Sequence, residues 1–187
     1  EQAMENTAMM NNKINLENQP TKEKENLSDN KYVIFRLGEE EYGIDILKVQ
    51  GIINYKNVTQ LPNQQSFVKG VINLRGNVIP IIDLGLRFGL PPANYDKYTV
   101  IINAEIHNRI NGLIVDNVSD VDSFKDEEIQ ETPAMGSSVD TRFIKGMGKK
   151  EDRLIILLDL DKVLTSEEVM SIQKQKASGK DIPSISE

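Results

Sequence analysis

The chain has no cysteine and no tryptophan, a single histidine, and only 5% aromatic residues. The lack of cysteine excludes disulfides, thiolate metal sites and cysteine nucleophiles, and fits a reducing cytoplasm. His107 is the whole supply of imidazole, so no two-histidine metal site can form. No apolar run approaches the roughly 18 residues that a spanning helix needs, so direct membrane insertion is not expected. Residues 1–30 lack the apolar core of a secretory signal. Positive charge is also short, with 22 Lys and Arg against 29 Asp and Glu and a net charge of -7, which argues against nucleic acid as a partner. There is no Gly-x-Ser-x-Gly elbow, phosphate loop or dinucleotide fingerprint. Gly146-Met147-Gly148-Lys149 is glycine-rich without the phosphate-loop spacing and reads as a hairpin.

What is present is β-rich. With 39% hydrophobic and 27% charged residues the composition is that of a globular protein. Residues 1–30 are rich in Asn, Gln, Glu and Lys without periodicity and are expected to form a disordered tail, as are residues 178–187. Between them, Tyr32 to Leu37 has strand composition, Gly38-Glu39-Glu40 a turn, and Glu41 to Ile46 its hairpin partner. Tyr98 to Ile102, Ile110 to Val115 and Arg153 to Leu158 are equally strand-like. Asp83 and Asp159 are placed to cap short helical turns over Leu84–Phe88 and Leu160–Leu164. Thr165-Ser166-Glu167-Glu168 is a capping box opening a terminal helix to about Ala177, whose Val169, Met170 and Ile172 are expected to share one packed side.

An internal repeat organises these pieces. Phe67-Val68-Lys69-Gly70-Val71 matches Phe143-Ile144-Lys145-Gly146-Met147, and counting on without a gap sets Ile79 on Ile155, Ile81 on Leu157, and Asp83-Leu84 on Asp159-Leu160. Upstream, Gly43, Ile44, Ile46, Val49 and Ile52 align with Gly112, Leu113, Val115, Val118 and Val121 at a constant offset, and Pro62 corresponds loosely to Pro133. One β motif therefore runs twice. The expected architecture is two similar small barrels, over about residues 45–95 and 105–160, each too small to hold a large core alone. They share an interface, and the first and last strands cross over to complete the partner barrel.

The copies agree at core positions and differ at one hairpin tip. Copy two has Lys149-Lys150-Glu151-Asp152, an ordinary charged turn, where copy one has Asn73-Leu74-Arg75-Gly76. Two readings of the first tip stand. Leu74 and Arg75 together offer apolar burial and a directional fork for another protein. Alternatively, Arg75 pairs within its own fold and Leu74 belongs to the core. Asp45, Asp83, Asp116 and Asp159 could suggest paired carboxylates, but the repeat gives Asp83 and Asp159 equivalent capping roles. Asp120, Asp122, Asp126, Glu127 and Glu128 form an acidic run without calcium-loop spacing and read as a solvated loop. His107 falls at a surface hairpin turn.

Val68-Lys69-Gly70-Val71-Ile72-Asn73-Leu74-Arg75-Gly76, with Pro80 and Asp83-Leu84, resembles the signature of the CheW family of chemotaxis coupling proteins. Glu41 to Val49 and Gly112 to Val118 resemble it too, and the likeness covers about residues 31–170. The resemblance implies a mostly β fold of two five-stranded Src-homology-3-like barrels, pseudo-duplicated, with short helices and a C-terminal helix, over residues 31–177. It implies no catalysis and no cofactor. Its implied partners are the regulatory domain of the histidine kinase CheA and the cytoplasmic tips of methyl-accepting chemoreceptors, in membrane receptor arrays reached from the cytoplasm. In relatives the groove between barrels takes a receptor helical hairpin, and barrel edges meet the kinase's homologous domain.

Carried onto this sequence, Arg75 matches an arginine linked to receptor and kinase coupling. Val49 and Ile52 fall at expected apolar receptor contacts, with Val118 and Val121 opposite in copy two. Asn73, Leu74, Gly70 and Gly76 match the signature. Arg75→Glu or Val49→Asp is expected to leave the fold intact and break coupling. Gly51 stands where relatives often carry an acidic residue and Gly85 where an arginine is common, so charge contacts there are not carried over. Two other readings remain at this stage. One is a regulatory module of a larger kinase or adaptor. The other is a small-ligand barrel or carboxylate enzyme, which predicts a deep polar pocket with perturbed acids.

Overall fold

In a strand, successive side chains face opposite ways, so a strand buried on both faces reads as a continuous apolar run. That is how β1 (Asn30–Leu37), β5 (Asn77–Asp83), β6 (Val100–Ile106), β7 (Arg109–Val115) and β11 (Arg153–Leu158) are used. Tyr32, Ile34, Ile155 and Leu157, with Phe124, fill one small cluster, while Ile79, Ile81, Ile101 and Ile114, with Ile72, fill another. The alternate residues Val33, Phe35, Ile82, Ile102, Leu113, Val115, Ile156 and Leu158 all enter a third, larger cluster. Each small cluster lies inside one barrel; the large one lies between the two. Most apolar burial is thus shared, as expected of barrels too small to enclose a core of their own.

The computed structural model describes residues 30–132, 139–176 and 184–185. The N-terminal tail expected over residues 1–30 lies outside them except for Asn30, as does the C-terminal tail expected over 178–187 except for Ser184 and Ile185. Pro133 and Ala177 lie outside as well. The remaining strands are β2 (Glu40–Asp45), β3 (Val49–Asn54), β4 (Val68–Leu74), β8 (Asn117–Phe124), β9 (Ile129–Gln130), β10 (Ile144–Lys150) and β12 (Ser184–Ile185). The helices are α1 (Leu84–Arg87), α2 (Leu160–Val163) and α3 (Ser166–Lys176). One sheet runs β8-β1-β2-β11-β10-β9 and the other β12-β4-β5-β7-β6-β3. Because β8 and β9 are one interrupted path that flanks both ends of the first of these, each sheet amounts to a five-stranded barrel, and β12 is an addition.

The barrels do not follow the contiguous bounds expected from the repeat. The first is β3 to β7, residues 49–115, and the hairpin β6–β7 belongs to it entirely. The second combines the N-terminal hairpin, residues 30–45, with residues 117–158. The first hairpin does cross over, but the last long strand, β11, stays with its own copy. Each copy's hairpin completes the other copy's barrel, and the two closures are made in the same way. β5 runs parallel to β7 with Ile81 opposite Gly112, and β11 runs parallel to β2 with Leu157 opposite Gly43. These are repeat-equivalent pairs. A Cβ on Gly112 would lie 2.5 Å from Ile81 Cδ1, and one on Gly43 would lie 2.9 Å from Leu157 Cδ2. Both glycines are there because a core side chain lies flat on the backbone.

Barrel closure explains the glycine of the repeated Lys-Gly. Thr59 bridges Val71, each N–H donating to the other's carbonyl at 2.9 Å, and β9 pairs with β10 at the matching place. Gly70, at φ +143°, passes so close to Thr59 that a Cβ would overlap its carbonyl oxygen at 2.0 Å. The bulge after Val68 recurs after Ile144.

Between the barrels, Phe35, Tyr42, Phe88 and Phe143 form a row with ring centroids 5.9, 5.8 and 5.4 Å apart. Arg87 sits across the pseudo-twofold relation, its guanidinium 4.8 Å from the Phe67 ring and 5.3 Å from that of Phe143, the two equivalent phenylalanines. Its Nε donates to the Val163 carbonyl at 2.8 Å and a terminal nitrogen to Glu168 Oε1 at 3.1 Å. Glu168 in turn accepts from Thr165 N, and Thr165 Oγ1 from Glu168 N, so the expected capping box opens α3. On that helix Val169 and Ile172 are buried, but Met170 is 61% exposed. Met170 is only one residue, about 100° of turn, from Val169 and so cannot share its face.

Candidate docking surfaces

The β4–β5 hairpin turns on Arg75 and Gly76, with φ of +53° and +84° and Leu74 opposite Asn77. Positive φ at both central residues is the two-residue turn that suits the strand twist. Asn73 shapes it, its Oδ1 accepting from Gly76 N at 3.1 Å. Leu74 is half-buried against the inner cluster of the first barrel, so the apolar residue at this tip is partly explained by its own fold. Arg75 is exposed.

A groove of about 480 Å³ runs beside this turn. Ile52 and Ile53 of β3, Leu74 and Arg75, Arg109 at the start of β7, and Gln173 of α3 line it. Three of the residues singled out from sequence, Ile52, Leu74 and Arg75, thus meet in one place. The groove lies on the first barrel, flanked by α3, and not between the barrels, where the shared core is continuous. Ile52 is 43% exposed and Val121 53%. Val49 and Val118 are half-buried and lean on the inter-barrel core, so Val49→Asp would disturb packing and cannot test docking alone. Val121, on β8 opposite Val33, belongs to a separate face.

Sequence reasoning misses Arg109 because the repeat assigns its hairpin to the other barrel. The turn before it is of the same kind as the one at Arg75, His107 and Asn108 having φ of +48° and +61°. His107 ties that turn to the second half of the chain, its N–H donating to Asp161 Oδ1 at 2.9 Å and its Nε2 lying 2.8 Å from the Leu164 carbonyl. A Cβ on Gly51 would meet nothing within 4 Å, whereas one on Gly85 would come within 3.3 Å of Asp83 Oδ1.

The carboxylates are occupied structurally. Asp45 accepts from Leu47 N, Asp83 from Leu86 N, Asp116 from Gly38 N and Asp159 from Asp161 N. Asp83 also accepts from the Tyr95 hydroxyl; burial, then that bond, pushes the Tyr95 phenol above its usual range. In the acidic run, Asp120 and Asp122 face Arg153 at 3.3 and 3.9 Å, and Asp122 accepts from Lys150 Nζ at 2.9 Å. Burial raises the Asp122 carboxyl, but the Lys150 and Ser123 hydrogen bonds outweigh it and hold the group below the usual carboxylate range. Among the described residues no cluster of three or more His, Asp and Glu side chains converges to hold a metal ion, and no helix is long and apolar enough to cross a membrane.

Comparison with known proteins agrees with this architecture. The model of the CheW-like domain family matches residues 31–168. Chemotaxis protein CheW of Klebsiella aerogenes is 46% identical over 138 residues, covering 74% of this chain and 83% of that protein. Chemotaxis protein CheW of Bacillus subtilis is 34% identical over 148 residues, covering 79% and 94%. The crystal structure of scaffolding protein TtCheW from Thermoanaerobacter tengcongensis matches with a TM-score of 0.70 at 36% identity, covering 75% of this chain and 95% of that one. With its paired barrels, swapped hairpins and Asn-Leu-Arg-Gly turn, the chain belongs to the CheW-like family and is a non-enzymatic chemotaxis adaptor.

Proposed function

We propose that the chain couples the cytoplasmic tips of methyl-accepting chemoreceptors to the regulatory domain of the histidine kinase CheA, and joins membrane receptor arrays through these partners. The observation that carries this reading is the meeting of Ile52, Leu74 and Arg75 in one groove on a body whose two barrels share a single core. A receptor tip is a helical hairpin. Apolar residues at i, i+3 and i+4 on one of its helices fit the isoleucine and leucine lining, and Arg75 offers a two-pronged donor to a carboxylate beside them. Val121, exposed on the other sheet and absent from the groove lining, is free to serve a different contact. Asn73 acts by holding the turn, and Val49 and Val118 by supporting the strands that carry the exposed residues.

The test is a pair of titrations of isotope-labelled protein, one with a receptor-tip fragment and one with the kinase regulatory domain. Two distinct sets of perturbed amides are expected. Arg75→Glu and Ile52→Asp each weaken receptor-tip binding by about tenfold or more, the usual cost of losing an anchor at an interface. Both side chains are exposed enough that unfolding transitions stay near wild type. Wild-type affinity for both partners in both variants refutes the assignment.

A further inference from the structure

We propose that Asn103 is a specificity-determining residue at the floor of the Arg75 groove, where its side-chain amide receives a carboxamide, an asparagine or glutamine side chain, from the helix that docks there. That the helix is a chemoreceptor tip rests on the docking role proposed above; the state of the amide does not.

Asn103 lines the groove, is only 4% exposed, and its Oδ1 has no hydrogen-bond partner among the described residues. Enclosing an amide that nothing answers works against folding. The duplicated motif shows the alternative. The β1–β2 hairpin is the counterpart of β6–β7, so Asn103 corresponds to Ile34 at the same offset that sets Gly43 on Gly112. The two side chains take the same place: a Cβ on Gly112 would lie 3.3 Å from Asn103 Oδ1, and one on Gly43 would lie 3.2 Å from Ile34 Cδ1. Ile34 belongs to the inner cluster of the second barrel. Where one barrel completes its core with an isoleucine, the other keeps an amide.

The surroundings differ in the same sense. Asn103 is opposite Gly51 and Leu74 opposite Asn77; the counterparts are Ile34 opposite Asp120 and Lys150 opposite Arg153. In the second barrel these charges close on one another. Arg153 donates to Asp120 at 3.3 Å and to Glu41 at 2.7 Å, and Lys150 to Asp122 at 2.9 Å. In the first barrel the positions of Asp120, Glu41 and Asp122 hold Gly51, Ile110 and Ile53, which carry no charge. All three line the groove, and a Cβ on Gly51 would meet nothing within 4 Å. The second barrel covers this region with its own ion pairs; the first leaves it open over an unanswered amide.

The lining decides the chemistry of the occupant. Among the described residues that line the groove, Arg75 and Arg109 are cationic and none is acidic, so a lysine or arginine is disfavoured. A carboxylate can accept from Asn103 Nδ2 but has no hydrogen to give the oxygen. A carboxamide both donates and accepts. It answers either end of Asn103, whose oxygen and nitrogen exchange places by half a turn about the last side-chain bond. Gln50, Asn77, Asn108 and Gln173, which line the same groove, offer it the same two-way bonding.

Asn103→Ile gives the first barrel the side chain of the second, and Asn103→Val is a smaller companion in case isoleucine overfills the site. Thermal unfolding and titration with a chemoreceptor-tip fragment are measured for the wild-type chain and both variants. The expected result in at least one variant is a midpoint higher by about 3–6 °C with receptor-tip affinity lower by about five- to tenfold. Fragments in which each Asn, Gln, Ser and Thr is replaced in turn by an apolar residue then locate the group. One Asn or Gln replacement is expected to weaken wild-type binding by the same factor and to leave binding to the variant unchanged. A midpoint at or below wild type in both variants overturns the unanswered amide, since the fold then satisfies it. A raised midpoint with unchanged affinity overturns the docking role. Lost affinity that follows a Ser or Thr position, or a glutamate that binds as well as the glutamine it replaces, overturns the carboxamide. Failure of the wild-type chain to bind the fragment overturns the coupling reading and this occupant with it, while the unfolding midpoints still judge the amide.

Discussion

Replacing Arg87 should loosen the union of the two barrels. Its side chain is 20% exposed and that of Glu168 is 16% exposed, so both groups are largely out of water. A charged donor to a backbone carbonyl, as to Val163, contributes about 1.5–3 kcal/mol. A guanidinium over aromatic faces, here those of Phe67 and Phe143, adds about 0.5–2 kcal/mol. Removing Arg87 also strands the Glu168 carboxylate, although Thr165 N still donates to it. These contributions overlap and the pair is not fully buried, so Arg87→Ala should cost about 3 kcal/mol. Arg87→Lys should cost about 1–2 kcal/mol, because one ammonium cannot reach the Val163 carbonyl and Glu168 while lying over both rings. Arg87→Met/Glu168→Gln should recover part of the loss of Arg87→Met, since no carboxylate is then left without its partner. Urea unfolding followed by circular dichroism measures all four variants. An Arg87→Ala midpoint that places its stability within about 0.5 kcal/mol of wild type, or a lysine variant equal to wild type, refutes the reasoning.

Three further expectations follow from the packing. Gly70→Ala should destabilise by more than about 2 kcal/mol, since the new Cβ would meet the Thr59 carbonyl at a φ unsuited to alanine, whereas Gly51→Glu, facing open space, should leave thermal stability within about 0.5 kcal/mol. Ile172→Ala should cost about 2–4 kcal/mol in chemical denaturation while Met170→Ser costs almost nothing, reversing the equal weight that the helix sequence suggests. The third concerns acid. Because the Asp122 carboxyl is held below its usual range, the native state binds fewer protons there than the unfolded chain does, so its contribution is fully present above about pH 4 and fades as pH falls below that. Asp122→Asn should therefore flatten the loss of stability below about pH 4; an acid limb identical to wild type counts against the Lys150 pairing.

Much of this fold can be read from the residues, and the parts that cannot share a cause. Strand positions follow from apolar runs between Gly and Pro, and Asp83, Asp159 and Thr165 sit where helices begin, because these are local rules. The repeat shows that two units are alike. It cannot show which hairpin completes which barrel, since Gly43 and Gly112 offer the same flat spot to either partner strand. That ambiguity puts Arg109 in the wrong barrel and hides its place beside Arg75. Arg87 is an unremarked arginine between Leu86 and Phe88 in the sequence; its importance lies in contacts with Phe143, Val163 and Glu168, which only tertiary structure brings near. Leu74 and Val49 are legible as apolar residues near a working surface, but how far each turns inward depends on strand register. Ser184–Ile185 lacks the length and pattern of a strand, and it forms one because β4 supplies the template.

The traded hairpins also order events during synthesis. Residues 49–115 close a barrel from one continuous stretch, but the β1–β2 hairpin, made before them, waits through all of it: β1 meets its partner only when β8 is made, and β2 only when β11 is. For that interval the apolar face of the hairpin has no native cover, and a chaperone that holds it would guard the nascent chain against wrong strand pairing.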